Sequence, residues 1–265
     1  MSVVEKQDEL TVRPLTGAGG GAVWGIDITK LDDAGYRQVN DLLLQYGAIA
    51  LHGQAHATVA DLRGFGLHFG DLDVHGFSPT VDGFDDVMTI GQLRSEAWHS
   101  DVSWKELPPK YSMLLARKVP SLGGATLYAN QYKAYEGLSD TMKAFVEPLF
   151  AEHDGRQFDF KLSKHPVTHP VVITHPETGK KALYVNRNFT QRIKGLDRDE
   201  SQAILEYLFK HTTRAYYQFR IDYEPGTIAI WDNRCVLHSP CPDYDVSEER
   251  LMERVTVLSD TRPVQ

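Results

Sequence analysis

The stretch A-W-H-S-D-V-S-W (97–104) sets His99 and Asp101 two residues apart between large aromatic side chains. On an extended segment residues i and i+2 point to the same side, so an imidazole and a carboxylate so spaced can grip one ion. Alone the pair is a weak signal, because H-x-D arises by chance. It strengthens near the far end of the chain, where W-D-N-R-C-V-L-H-S-P (231–240) carries His238 at the end of an apolar run. Two histidines and one carboxylate on one face of a barrel are the ligand set of non-haem Fe(II) oxygenases; open positions remain for a chelating keto acid and O₂. Zinc accepts the same donors. A zinc hydrolase would also need a general base close by, and no H-E-x-x-H spacing occurs in the chain. Cys241 follows His238 closely but has no second thiolate partner beside it, which argues against a soft-ligand role.

A keto acid needs a cation for its remote carboxylate. Arg250 and Arg254 follow His238 on a segment that reads as a strand, where they share one face while Leu251, Val255 and Val257 take the other. A planar guanidinium grips a carboxylate through two parallel hydrogen bonds, so arginines on one face of an apolar strand suit an anion site. The competing reading is a pair of exposed arginines at a barrel edge.

These residues need a scaffold. The chain has 265 residues, ample for a buried core without disulfides, and its 42% hydrophobic and 24% charged residues are ordinary globular usage. No Lys/Arg block accompanies the net charge of −8, so nucleic acid is not expected as a partner. The segment MSVVEKQDEL lacks an apolar core and no apolar run is long enough to span a bilayer, so a cytoplasmic protein with no membrane partner is expected. Cys235 and Cys241 form no disulfide framework, in keeping with a reducing compartment.

Strands are expected over 10–16 and 22–29, split by a glycine turn, then over 48–53, 87–93, 111–119 and 125–130. A hairpin is expected over 169–186, with Pro176 and Gly179 in its turn, and further strands over 216–223, 227–233 and 251–260. Helices are expected over 32–47 with Gly47 as C-cap, 58–70, 132–149 and 197–213, the last with an apolar stripe of Ile204, Leu205 and Leu208. Gly17–Ala22 fits a loose dinucleotide-binding fingerprint, but a strand rather than a helix follows it, so a hairpin turn is the better reading. Many short strands with a few helices point to a mainly β barrel or jelly roll in one domain, residues 1–265.

W-H-S-D (98–101), P-S-L-G-G-A-T (120–126), T-H-P-E-T-G-K (174–180), I-W-D-N-R (230–234) and the run His238, Arg250, Arg254 together resemble the taurine/2,4-D dioxygenase family of Fe(II)/2-oxoglutarate oxygenases, in order and over nearly the whole chain. The resemblance implies a double-stranded β-helix core of the clavaminate synthase-like type. It implies Fe(II) on His99, Asp101 and His238, and 2-oxoglutarate held by Arg250 and Thr126. It implies O₂ as oxidant, with decarboxylation of 2-oxoglutarate to succinate and CO₂, and hydroxylation of a small organic anion. Asp101 argues against halogenation, which in relatives needs a small residue there; desaturation or ring closure stays open.

For the substrate, the resemblance assigns the anion to His75, in F-G-D-L-D-V-H-G-F (69–77), and to Arg254; Phe158 or Phe160, and Phe189, are candidates to line the pocket. Ser78 stands where taurine enzymes carry a substrate-binding tyrosine, which argues against taurine itself. Segments 98–114 and 231–238 are closer to aryloxyalkanoate oxygenases, in which oxidation beside the ether oxygen breaks the ether. A sulfonate, sulfate ester, aryloxyalkanoate or carboxylate therefore fits. The alternatives are a catalytically silent barrel that binds metal and 2-oxoglutarate, or a biosynthetic oxygenase acting on an amino-acid-like or natural-product substrate. Relatives are commonly dimers or tetramers, so a homo-oligomer is expected.

Overall fold

The computed structural model describes residues 9–74, 78–92, 97–156, 163 and 165–265. Its strands are β1 (Thr11–Thr16), β2 (Gly19–Trp24), β3 (Ala48–Leu51), β4 (Thr80–Val81), β5 (Phe84–Ile90), β6 (Tyr111–Lys118), β7 (Thr126–Asn130) and β8 (Phe150–His153). They continue as β9 (Val167–Pro170), β10 (Val172–Thr174), β11 (Lys181–Leu183), β12 (Thr190–Ile193), β13 (Gln218–Ile221), β14 (Ile228–Asp232), β15 (Val236–Pro240) and β16 (Leu251–Val257). The helices are α1 (Asp33–Tyr46), α2 (Val59–Leu67), α3 (Gln131–Glu136), α4 (Asp140–Val146) and α5 (Arg198–Thr212).

An eight-stranded sheet runs β1-β2-β3-β14-β6-β16-β5-β4, and a smaller one runs β13-β7-β15. Strict alternation along the central strands builds both of the large sheet's packed faces. Ile49, Leu51, Met113, Leu115, Ile228, Ile230, Val255 and Val257 pack outward with Val39, Leu43, Leu62 and Phe65 of α1 and α2. Ala48, Ala50, Leu114, Ala116, Ala229, Trp231 and Met252 pack inward with Tyr128, Phe219 and Val236 of the small sheet. This two-sheet sandwich is the jelly-roll core. The small residues on its inner face leave room between the sheets, and the site lies at that level. A third cluster joins Leu205, Leu208 and Phe209 of α5 to the β8–β12 region.

Most expected elements are present, with physical reasons for the exceptions. The 132–149 segment is two helices, because Ser139 caps a second one by accepting from the Met142 amide. The break falls at Gly137, where a Cβ would lie 1.9 Å from the Tyr217 hydroxyl. The glycine-rich stretch at 17–22 is a hairpin rather than a nucleotide loop: Thr16 pairs Gly19 and Pro14 pairs Gly21. The strand expected over 216–223 starts with a 3₁₀ turn at Ala215–Tyr217. No helix among the described residues is long and apolar enough to cross a membrane.

His153 on β8 and His169 on β9 are fully buried, with ring centroids 5.3 Å apart. Nδ1 of His153 meets the Ser103 hydroxyl at 3.0 Å, and Nε2 of His169 donates to the Lys105 carbonyl at 3.0 Å. Burial pushes both pKa values down, that of His153 well down, with His169 adding to the effect on His153. Both rings are therefore neutral when folded but take up protons near pH 6.5 when unfolded. Below that pH the unfolded chain binds more protons, so stability rises with pH up to about 6.5 and then levels off. Each ring contributes a slope of up to about 1.4 kcal/mol per pH unit. Thermal melts of the metal-free protein between pH 5 and 7 should show this rise; a melting temperature independent of pH there would contradict it.

Candidate functional site

His99 and His238 meet through the backbone. The His99 amide donates to the His238 carbonyl at 3.0 Å, and the His238 amide donates to the His99 carbonyl at 2.8 Å. This reciprocal antiparallel pair sets both side chains on one face, side by side. The segment is extended only to Ser100. It then turns over Asp101–Trp104, with Val102 at φ 35, a left-handed conformation that strains a β-branched residue by about 1–3 kcal/mol. The turn brings Asp101 back over the two rings. Its Oδ1 lies 3.7 Å from Nε2 of His99 and 3.7 Å from Nε2 of His238. Among the described residues these three are the one cluster of His, Cys, Asp or Glu side chains able to share an ion. Cys235 and Cys241 are buried and free, outside it.

The donor set fits Fe(II). Nδ1 of His99 lies 2.8 Å from the Ala97 carbonyl, which can only accept, so Nδ1 carries the proton and Nε2 keeps its lone pair. Burial, the largest influence, lowers the pKa of both histidines, so both are neutral ligands. Burial also pushes the Asp101 carboxyl up, but the Arg254 guanidinium beside it, helped by the Ser112 hydroxyl, holds it well below the usual carboxylate range. The centre is thus already in its metal-binding protonation state.

Arg254 lies on β16 beneath the metal ligands. Its guanidinium reaches Asp101 Oδ2 at 2.5 Å and Ser112 Oγ at 3.2 Å, and stacks 5.7 Å over Trp231. Its Nε is buried without a partner. The structure therefore brings Arg254 to the metal carboxylate, a contact that spacing in the sequence does not reveal.

Arg250 is buried at 3% exposure, directly before β16. It donates to the Gly91 carbonyl at 3.1 Å, its Nε has no partner, and no carboxylate among the described residues pairs with it. Burial lowers its pKa, opposed mainly by Tyr223. An unpaired buried guanidinium is costly unless an anion arrives. Thr126 stands beside this region, its hydroxyl 2.9 Å from that of Tyr223. On β7, Thr126 is two residues from Tyr128, which pairs across the sheet with His238. Two strand residues span about 7 Å, the scale of a five-carbon dicarboxylate. The G-G of the P-S-L-G-G-A-T segment anchors this strand: a Cβ at Gly123, φ 82, would lie 2.3 Å from the Asp243 carbonyl oxygen.

Phe189 is buried, with its ring edge-on to His99 at 6.3 Å. Ser78 is half-buried just before β4 and shares no hydrogen bond with the metal ligands. His75, Phe158 and Phe160 lie outside the described residues. A surface cavity of about 610 Å³ between β12 and α5 holds Arg187, Arg192 and Arg198 but no metal ligand. A smaller one of about 120 Å³ reaches Ala97, Trp98 and Leu237 beside the centre. Sequence reasoning missed Ser112, Asn233 and Tyr223, which carry no metal-ligand chemistry of their own and gain a role only from what they touch.

The family model described as "Taurine catabolism dioxygenase TauD, TfdA family" matches residues 11–256. The chain is 32% identical to an α-ketoglutarate-dependent sulfate ester dioxygenase of Pseudomonas putida, covering 95% of this chain and 90% of that one. It is 30% identical to an (S)-phenoxypropionate/α-ketoglutarate dioxygenase of Sphingobium herbicidovorans, covering 94% and 95%. The crystal structure of a taurine dioxygenase from Burkholderia xenovorans superposes with a TM-score of 0.86 at 33% identity, covering 96% of this chain and 92% of that one. The two-sheet core, the His99–Asp101–His238 centre and these matches agree: the chain belongs to the TauD/TfdA family of Fe(II)- and 2-oxoglutarate-dependent dioxygenases.

Proposed function

We propose that this dioxygenase hydroxylates a small organic anion at a carbon next to an ester or ether oxygen. Fe(II) is held by His99, Asp101 and His238, and 2-oxoglutarate by Arg250 and Thr126. The observation that carries the reading is a two-histidine, one-carboxylate centre together with a buried arginine that has no carboxylate partner among the described residues. When bound, Fe(II) and 2-oxoglutarate supply the oxidising chemistry: the keto acid loses CO₂ to become succinate, one atom of O₂ enters succinate and the other enters the substrate.

The protein's own residues bind and orient. Arg254 keeps one N–H group on Asp101 and offers its buried, unpartnered Nε to the substrate anion. Phe189 walls the space beside His99 and limits water there. His75 and Phe158 complete the substrate pocket, with Ser78 at the position where taurine enzymes carry a tyrosine. Two of the relatives are named for a sulfate ester and a phenoxypropionate, both anions in which carbon bonds an ester or ether oxygen. Residues 1–265 act as one catalytic domain, in the cytoplasm, as a homo-oligomer, with neither nucleic acid nor membrane as a partner.

A panel of alkyl sulfates, alkyl sulfonates, aryloxyalkanoates and simple carboxylates tests this reading through O₂ uptake and succinate release. Alkyl sulfates or aryloxyalkanoates should stimulate both, and stimulation by alkyl sulfonates or simple carboxylates alone would overturn the choice of a carbon next to an ester or ether oxygen. Turnover without 2-oxoglutarate would point instead to a hydrolase, and tight 2-oxoglutarate binding with no stimulated succinate to a silent barrel. With metal saturating, Arg254→Ala should raise the substrate requirement about thirtyfold or more, the usual loss for one partner of a buried charge pair. Loss of 2-oxoglutarate binding in that variant, with the substrate unaffected, would mean that Arg250 and Arg254 exchange roles.

A further inference from the structure

Metal, keto acid and substrate account for Oδ1 of Asp101 and for the two arginines, but not for a ring of hydrogen bonds behind the carboxylate. The Asp101 amide donates to Asn233 Oδ1 at 3.1 Å. Asn233 Nδ2 donates to Ser112 Oγ at 3.0 Å. The Ser112 hydroxyl lies 2.6 Å from Asp101 Oδ2, which closes the ring on the residue where it began. Ser112 is fully buried and Asn233 is 2% exposed.

The chemistry leaves one arrangement. Oδ1 of Asn233 also receives Trp231 Nε1 at 3.1 Å, so it faces two N–H groups that can only donate. A flipped amide would set its NH₂ against both, so the orientation is fixed. Ser112 Oγ accepts from Asn233 Nδ2 and from Arg254. Both acceptor positions are then filled, and its one proton must go to Asp101 Oδ2. Asn233 is itself anchored, its amide donating to the Lys110 carbonyl at 2.8 Å and its carbonyl accepting from Ser100 Oγ at 2.7 Å.

We propose that Ser112 and Asn233 are positioning residues that hold Asp101 as a one-oxygen metal ligand. A carboxylate free to turn can bring both oxygens to a metal, and the second would take a coordination position that the keto acid or O₂ requires. Here turning Oδ2 toward the metal breaks its bonds to Ser112 and Arg254 together. The amide bond to Asn233 also braces the turn at Val102 that aims Asp101 at the two rings. Neither Ser112 nor Asn233 is among the three metal-ligand side chains; both act through Asp101, and Ser112 also braces Arg254. The inference rests on the assignment of the metal to His99, Asp101 and His238.

The test is Mn(II) titration of the metal-free full chain, read by the spin-resonance signal of free Mn(II), together with the visible spectrum of the Co(II) form. Ser112→Ala removes one oxygen atom, and Asn233→Ala opens the ring at its hub. Each should weaken Mn(II) binding about 10- to 100-fold, the usual loss for a partner behind a metal ligand, and shift the Co(II) bands. Ser112→Thr, which keeps the hydroxyl, should restore both readouts. A folded Ser112→Ala protein that binds Mn(II) and shows Co(II) bands as the wild type does would overturn the proposal. So would a folded Ser112→Thr protein as weak as Ser112→Ala. His238→Ala separates the two levels: if it too bound Mn(II) like wild type, the metal assignment itself would fall.

Discussion

Asp101→Ala abolishes metal binding and destabilises the metal-free protein at the same time. The first effect follows from losing the only anionic ligand: two neutral histidines remain, and the loss exceeds the roughly 100-fold that a missing outer partner alone can cause. The second comes from Arg254. In the native protein its guanidinium lies 2.5 Å from Asp101 Oδ2, with both side chains largely buried. Removing the carboxylate strands a buried cation, which costs about 3–5 kcal/mol. Ser112 loses the acceptor for its proton as well. Metal titration combined with urea unfolding of the metal-free forms checks both parts. A variant that still binds metal, or one as stable as wild type without it, would contradict the placement of Asp101 between metal and arginine.

Arg250→Ala separates keto acid from metal. No described carboxylate neutralises Arg250, and its Nε is buried and unpartnered, so in the proposed function its counter-ion is the remote carboxylate of 2-oxoglutarate. Truncation should weaken 2-oxoglutarate by about 2–5 kcal/mol, at least about thirtyfold, with Mn(II) affinity in the absence of 2-oxoglutarate unchanged. Unlike Asp101→Ala, this change removes the unpaired cation, so the ligand-free variant should be no less stable than wild type. Unaltered 2-oxoglutarate affinity would show that the remote carboxylate binds elsewhere. Tyr223→Phe should give a smaller loss, because that hydroxyl is neutral and its hydrogen bond goes to Thr126.

The sequence made the chemistry legible where residue type and period suffice. His99 and Asp101 stand out by their two-residue spacing and His238 by its place at the end of an apolar run, and the alternation Ala48-Ile49-Ala50-Leu51 marks a strand packed on both faces. Spacing placed Arg250 and Arg254 on one strand and only the family resemblance gave them different roles; the physical difference is that Asp101 folds back onto Arg254, and that depends on a strained turn at Val102. β12 was illegible because Thr190–Ile193 is an edge strand with Gln191 and Arg192 in solvent, so no apolar alternation signals it. The D-N-R and T-H-P-E-T-G-K segments, distinctive in the sequence, serve architecture. His175 meets Asp232 at 2.9 Å with both side chains buried, and Glu177 meets Arg234 at 2.8 Å, tying the β10–β11 hairpin to the end of β14. Between those cross-links, Asn233 is aimed at Asp101.

Anaerobic addition of Fe(II) and then 2-oxoglutarate tests the centre most directly, because a keto acid chelated to Fe(II) develops a visible absorption band that neither partner has alone. The wild type should develop the band at one equivalent of each. His238→Ala should not develop it, and Arg250→Ala should need far more 2-oxoglutarate to reach it. A substrate anion added next should shift the band. A wild-type protein that binds Fe(II) but forms no band, or a His238→Ala protein that forms it normally, would contradict the assignment of His99, Asp101 and His238 as the site of catalysis.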